Sequence, residues 1–125
     1  MSSKTAALLF GVVFIAVGLL GFIDNPIIGT SEGAIFHADT THNYVHIISG
    51  VLFVLVALMA PRSAAGFMIL FGIIYLAIGV LGMISDSGQV LGFLHVNAAD
   101  NYLHIGLGLV IFLAGVATRR RVAVA

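Results

Sequence analysis

The chain contains no cysteine among its 125 residues. Disulfide bonds, c-type haem attachment and thiolate metal sites are therefore excluded, and a metal would have to be bound by histidine, carboxylate or amide oxygen. Charged residues are scarce too, at 8% of the chain against 61% hydrophobic residues. Soluble domains carry about 25% charged residues, so this composition predicts a membrane protein.

Four apolar stretches can be drawn between the few charges, at residues 5–23, 42–60, 64–84 and 99–118. Each is near the length of about 20 residues that a helix needs to cross about 30 Å of hydrocarbon. A helix satisfies its own backbone hydrogen bonds, which lipid cannot do. We therefore predict an all-α integral membrane protein, a four-transmembrane-helix bundle that fills residues 1–125 as one domain. Lys4 before the first stretch resembles the start of a signal peptide, but no small-residue cleavage site closes that stretch, so we expect it to be retained.

The charges are sorted between the two ends of the predicted helices. All basic residues lie at the chain termini or between the second and third stretches: Lys4, Arg62, Arg119, Arg120 and Arg121. All acidic residues and histidines fall at the other end: Asp24, Glu32, Asp39, Asp86, Asp100, His37, His42, His46, His95 and His104. By the positive-inside rule, this predicts a cell (cytoplasmic) membrane protein with cytoplasmic N- and C-termini and outward-facing histidines.

An internal repeat relates the two halves of the chain. Residues 10–14, FGVVF, align with residues 71–75, FGIIY, at an offset of 61 residues. Residues 42–47, HNYVHI, align with residues 100–105, DNYLHI, at an offset of 58 residues. The sequence thus predicts a duplicated two-helix hairpin, with repeat units 5–60 and 64–118 related by a pseudo-twofold axis along the membrane normal.

Helical spacing places the polar residues of each repeat on one face. At about 100° per residue, His42, Asn43 and His46 share a face from which Tyr44 points away. The fourth stretch has the same arrangement, with Asp100, Asn101 and His104 opposite Tyr102. We expect the polar faces to point into the bundle and the tyrosines to lie at the membrane interface. Small residues at seven-residue spacing predict close helix packing: Gly11/Gly18, Gly50/Ala57, Gly72/Gly79 and Gly108/Gly115.

Two motifs carry a family resemblance. At residues 42–46, HNYVH, and residues 97–108, NAADNYLHIGLG, the chain resembles an uncharacterised family of small four-helix bacterial membrane proteins. Its members look alike in having H-N-x-x-H before the second span and D-N-x-L-H before the fourth. The resemblance covers nearly the whole chain and implies the same fold in a prokaryotic cell membrane. It implies no activity, because the family is a domain of unknown function.

The mirrored polar cluster is the candidate site. The i, i+4 pairs His42/His46 and Asp100/His104 each lie on one helical face, and the repeat places His42 near Asp100 and His46 near His104. Three imidazoles and one carboxylate could form a tetrahedral zinc site, and His46 with His104 could bracket a b-type haem. Alternatively, the cluster is a structural hydrogen-bonded lock. Its further members would be Asn43, Asn101, His37 and His95.

The sequence favours a non-enzymatic, structural or partner-subunit role, because interhelical hydrogen bonds alone explain such a cluster. Metal or haem binding is the alternative, and a proton or solute path is a third hypothesis. Expected partners are the lipid bilayer and a second copy or another membrane protein. No nucleotide, serine-nucleophile or nucleic-acid motif is present. Asp39 and Asn97 are predicted to cap the second and fourth helices.

Overall fold

The computed structural model describes residues 1–31, 33–92 and 94–124, with side chains described as far as Arg119. Glu32, one of the acids predicted to face outward, lies outside the described residues, as do the side chains of Arg120 and Arg121.

Four helices make up most of the chain. They are α1 Ser3–Leu20, α2 Thr40–Met59, α3 Ala64–Ile84 and α4 Ala98–Val124, and a 3-10 turn at Pro61–Ser63 joins α2 to α3. All four are long and apolar enough to cross a membrane. The prediction of four apolar helices is therefore confirmed, with shifted ends.

The end of α1 differs from its predicted boundary at residue 23. The helix stops at Leu20 although Phe22 and Ile23 are apolar. The side-chain amide of Asn25 donates to the carbonyl oxygens of Leu20 and Ile23, at 2.9 and 2.6 Å. The Asn25 oxygen accepts from the N–H groups of the chain beyond it, so the backbone turns here instead of continuing as a helix. At the other end of the chain, α4 continues past the predicted boundary at residue 118.

The helices pack as two close pairs, α1 with α2 and α3 with α4. Glycines permit the contact. A Cβ added to Gly11 would lie 2.9 Å from the carbonyl oxygen of Gly50, and a Cβ added to Gly108 would lie 2.8 Å from that of Gly72. Since these neighbours are backbone atoms, no side-chain rotation could make room. The prediction that the heptad glycines bring helices into close packing is confirmed.

An aromatic core joins the two pairs. Phe53 is fully buried, and Phe14 meets Tyr75 edge to face with ring centroids 5.4 Å apart. The outward side of the helices is apolar, with exposed side chains such as Val12, Ile73 and Leu109. Exposed apolar surface of this extent is typical of helices that face lipid.

The two loops that precede α2 and α4 lie at one end, which we call the histidine end (residues 21–39 and 85–97 with the first two turns of α2 and α4). In the first loop, β1 Ile28–Gly29 pairs in parallel with β2 Phe36–His37. In the second, β3 Gln89–Val90 pairs antiparallel with β4 Leu94–His95. These strands are an addition to the all-α prediction, because ladders of two residues are too short for an alternating pattern to reveal.

Candidate metal-binding site

Two capping residues position the site. The Asp39 side chain accepts from the N–H of His42 at 3.0 Å, and the Asn97 side chain accepts from the N–H of Asp100 at 2.9 Å. An N-cap satisfies a helix N–H that has no partner in its own helix and fixes where the helix begins. Both predicted caps are confirmed. They start α2 and α4 at the same end of the molecule and so bring His42, His46 and His104 together.

The three histidines converge. One nitrogen from each of His42, His46 and His104 lies within 4.8 Å of the others. The ring centroids of His42 and His46 are 4.5 Å apart, and those of His42 and His104 are 5.6 Å apart. All three side chains are buried, at 5% exposure or less. The structure thus brings together three of the four predicted metal ligands.

One nitrogen of each ring lacks a partner, although the His42 ring also interacts with the backbone of His37 and His95. The Nδ1 atoms of all three histidines are buried and have no hydrogen-bond partner among the described residues. An unsatisfied buried polar group costs about 1–3 kcal/mol. The hydrogen-bonded lock predicted for this cluster would have paired these atoms, and the described residues do not pair them.

Asp100, the fourth predicted ligand, lies outside this group. Its Oδ2 atom accepts from the N–H of Asn97 at 2.9 Å and from the N–H of His37 at 3.2 Å. Asp100 was predicted to lie near His42, but the two side chains form no ion pair in the described part of the chain. Asp100 instead ties the start of α4 to β2 of the other loop, so its carboxylate joins the two halves through backbone groups.

Replacing Asp100 with alanine is expected to lower the free energy of unfolding by about 1–3 kcal/mol, because two partly buried N–H groups lose their acceptor. Asp100→Asn keeps one oxygen and should cost less. Thermal unfolding in mild detergent measures the change, with Asp86→Ala as the control, since Asp86 is an exposed acid at the same end. Equal effects of Asp100→Ala and Asp86→Ala would contradict this role.

Asn43 and Asn101, predicted as structural members of the cluster, pack within each helix pair. Both are buried, and their side chains lie where a Cβ on Gly21 or Gly82 would overlap them. Their Oδ1 atoms have no hydrogen-bond partner among the described residues. They fill matching positions, Asn43 between α1 and α2 and Asn101 between α3 and α4.

His37 and His95 lie in the loops above the buried histidines. Their ring centroids are 6.2 Å apart, on the walls of a hollow of about 330 Å³ between the two loops. His95 is 47% exposed and its Nε2 lies 3.9 Å from Asp39 Oδ2. Exposed ion pairs of this kind contribute about 0–1 kcal/mol. These two histidines therefore border the site without entering the buried group.

The donor set fits a single ion better than a haem. The His46 ring packs 6.0 Å from that of Phe14, and the His104 ring packs 4.8 Å from that of Tyr75. The His42 ring also packs against His46. A haem placed between His46 and His104 would therefore have to displace these neighbouring rings. Three imidazoles are a ligand set that zinc accepts, with a fourth position left open.

Sequence reasoning missed two residues. Tyr75, which aligns with Phe14 in the repeat, is 4% exposed and contacts His104 in the core. The signal was a tyrosine within the most apolar stretch of the chain. Asn25 organises the first loop through its hydrogen bonds, and the Asn25-Pro26 dipeptide is a recognised turn signal.

The fold and the site define a class of small protein with four membrane-span-like helices and a buried histidine cluster. The chain belongs to the family described as domain of unknown function DUF4383, whose model matches residues 4–117. This confirms the uncharacterised family predicted from the two motifs. No curated protein and no solved structure matches the chain.

Proposed function

We propose that this protein is a multi-pass membrane protein that binds one transition-metal ion, most naturally zinc, through His42, His46 and His104. The observation that carries the proposal is the convergence of one ring nitrogen from each of three buried histidines within 4.8 Å of one another. Zinc bonds imidazole nitrogen at about 2.0–2.1 Å in tetrahedral geometry, which separates its ligands by about 3.3 Å. Binding would therefore draw the three nitrogens closer together.

The competing function is a purely structural cluster. It would require hydrogen-bond partners for the buried histidines, and the described residues offer none to the three Nδ1 atoms. A metal ion would use one nitrogen of each neutral imidazole as a ligand, so the cluster would not depend on hydrogen bonds among its side chains. Three protein ligands leave a fourth position for water or another molecule, which is the arrangement of catalytic rather than purely structural zinc.

The proposal places the four helices across the cytoplasmic membrane, with the histidine end outward and both termini inside. Its support is the apolar outward side of the helices together with the sorting of Lys4, Arg62 and Arg119 to the opposite end. Cytoplasmic loops and ends carry the excess of Lys and Arg in membrane proteins.

The same proposal treats residues 1–125 as one domain built from a duplicated hairpin. Its support is a set of matching contacts. A Cβ on Gly18 would lie 2.8 Å from the carbonyl oxygen of Asn43, and one on Gly79 would lie 2.9 Å from that of Asn101. The site would then take two ligands from one repeat and one from the other.

Elemental analysis and cobalt(II) titration of the purified protein in mild detergent test the metal proposal. We expect one equivalent of metal per chain and a saturable visible absorption when cobalt(II) occupies the site. Zinc should displace the cobalt and remove that absorption, because a tetrahedral histidine site is the coordination that zinc adopts most readily. A protein that holds no metal and gives no cobalt spectrum would refute metal binding.

A further inference from the structure

We propose that the protein also binds a neutral, membrane-dissolved molecule with a planar ring head and an apolar tail, of the quinone or quinol class, in a cleft between α1 and α4. This lateral cleft opens between Val13 and Val17 of α1 and Leu103 and Leu107 of α4, with His46 and Tyr75 at its closed end. The inference goes beyond metal binding, because the cleft has its own opening and its own wall.

The cleft runs from the outer surface of the helices into the core. Its volume is about 290 Å³. Val13 and Ile27 at its mouth are 53% and 49% exposed, whereas His46 and Tyr75 are 5% and 4% exposed. In a membrane, a molecule dissolved in the lipid would therefore enter from the side and reach the buried rings without crossing the loops.

Among the described lining residues, His46 and Tyr75 carry the only polar side chains, and both lie at the closed end. In the proposed function, His46 binds the metal. The described part of the chain gives the Tyr75 hydroxyl no hydrogen bond. A carbonyl or hydroxyl oxygen placed there would gain that hydroxyl as its partner. None of the described residues that line the cleft is Asp, Glu, Lys or Arg, so a charged headgroup would find no opposite charge among them and would be buried at high cost.

The wall favours a flat head of limited size. Phe10, Phe14 and Phe36 line the cleft together with Tyr75. Aromatic rings pack best against other rings in offset or edge-to-face arrangements. Since a water molecule occupies about 30 Å³ in the liquid, the cleft accommodates roughly ten non-hydrogen atoms. A substituted quinone ring has that size, and its tail would leave through the apolar mouth.

The second half of the proposed repeat is packed by its loop at two of the corresponding positions. The residues that align with Val17 and Leu103 are Ile78 and Val45. These pack against a small core cluster of the second loop, formed by Val90, Leu94 and Val96. The second loop thus covers two positions whose counterparts, Val17 and Leu103, line the lateral cleft.

Binding of decylubiquinone to the full-length protein in phosphatidylcholine nanodiscs tests the proposal. We compare Val17→Trp, which fills the cleft, with Val12→Trp, on the same helix but outside the lining and 60% exposed. Relative to empty nanodiscs, wild type and Val12→Trp should bind the quinone saturably, and Val17→Trp at least tenfold more weakly. The same affinity in both variants, or no saturable binding by wild type, would overturn the proposal.

Two further measurements separate a built site from a space filled by lipid. Tyr75→Phe should weaken binding about fivefold, as expected for one lost hydrogen bond. Decylbenzene, which has the ring and tail without oxygens, should compete poorly; competition equal to that of decylubiquinone would overturn the proposal.

Zinc content is measured on the same samples. A chain without zinc that still binds quinone refutes only the metal site, and a zinc-loaded chain that binds no quinone refutes only the cleft.

Discussion

Replacing His104 with asparagine is expected to lower cobalt(II) and zinc affinity by more than about 100-fold. The substitution removes one of three protein ligands, and changes to mere supporting residues of metal sites already cost about 10–100-fold. His95→Asn is the matched control, because His95 is an exposed histidine in the loop before the same helix. His95→Asn should leave the metal affinity within about threefold of wild type. This margin includes any small effect of losing the contact between His95 and Asp39.

The unfolding temperature separates loss of a ligand from general damage to the core. A metal that binds only the folded state at 100 times its dissociation constant stabilises that state by about 2.7 kcal/mol. Wild type and His95→Asn should gain this stability with zinc, and His104→Asn should not. Two results would instead show that the cluster is structural, as the sequence alone had favoured. One is that the loss of stability from wild type to His104→Asn is the same with and without zinc. The other is that His104→Asn binds cobalt like wild type.

The parts of the fold predicted from sequence are those governed by local physics. The apolar length of each stretch indicates a helix, and Asp39 and Asn97 mark two helix starts by a side-chain bond within the same turn. The inward face of His42, His46 and His104 follows from helical spacing alone. These features depend on residues three or four positions apart, and so the sequence carries them directly.

The parts that were missed depend on contacts between distant segments. Asp100 looked like a ligand because it aligns with His42, but the first loop reaches over and engages it through the N–H of His37, 63 residues away in sequence. The lateral cleft has the same origin. Part of its lining comes from the first loop, including Ile28 and Phe36. The positions of these loop residues do not follow from a helical or strand periodicity in the sequence. The types of side chain in a sequence indicate where a candidate site lies. The packing of the loops determines which of those side chains belong to the site.

Changing Gly108 to alanine is expected to lower the free energy of unfolding by about 1–3 kcal/mol or more, the cost of overpacking a tight core. The new Cβ would lie 2.6 Å from the backbone nitrogen of Leu76 and 2.8 Å from the carbonyl oxygen of Gly72. The control is Gly106→Ala on the same helix, where a Cβ meets nothing within 4 Å. That substitution should be neutral or stabilise by up to about 1 kcal/mol, because alanine favours the helix over glycine.

Thermal unfolding in mild detergent measures both glycine variants, and cobalt titration extends the test to the site. Gly108 lies one turn beyond His104 on α4, so separating α3 from α4 also moves a proposed metal ligand away from His42 and His46. We therefore expect Gly108→Ala to lose metal affinity along with stability, and Gly106→Ala to keep both. Similar stability of the two variants would show that α3 and α4 do not need this close approach. Lost stability with unchanged affinity would show that the histidines hold their positions independently of helix packing.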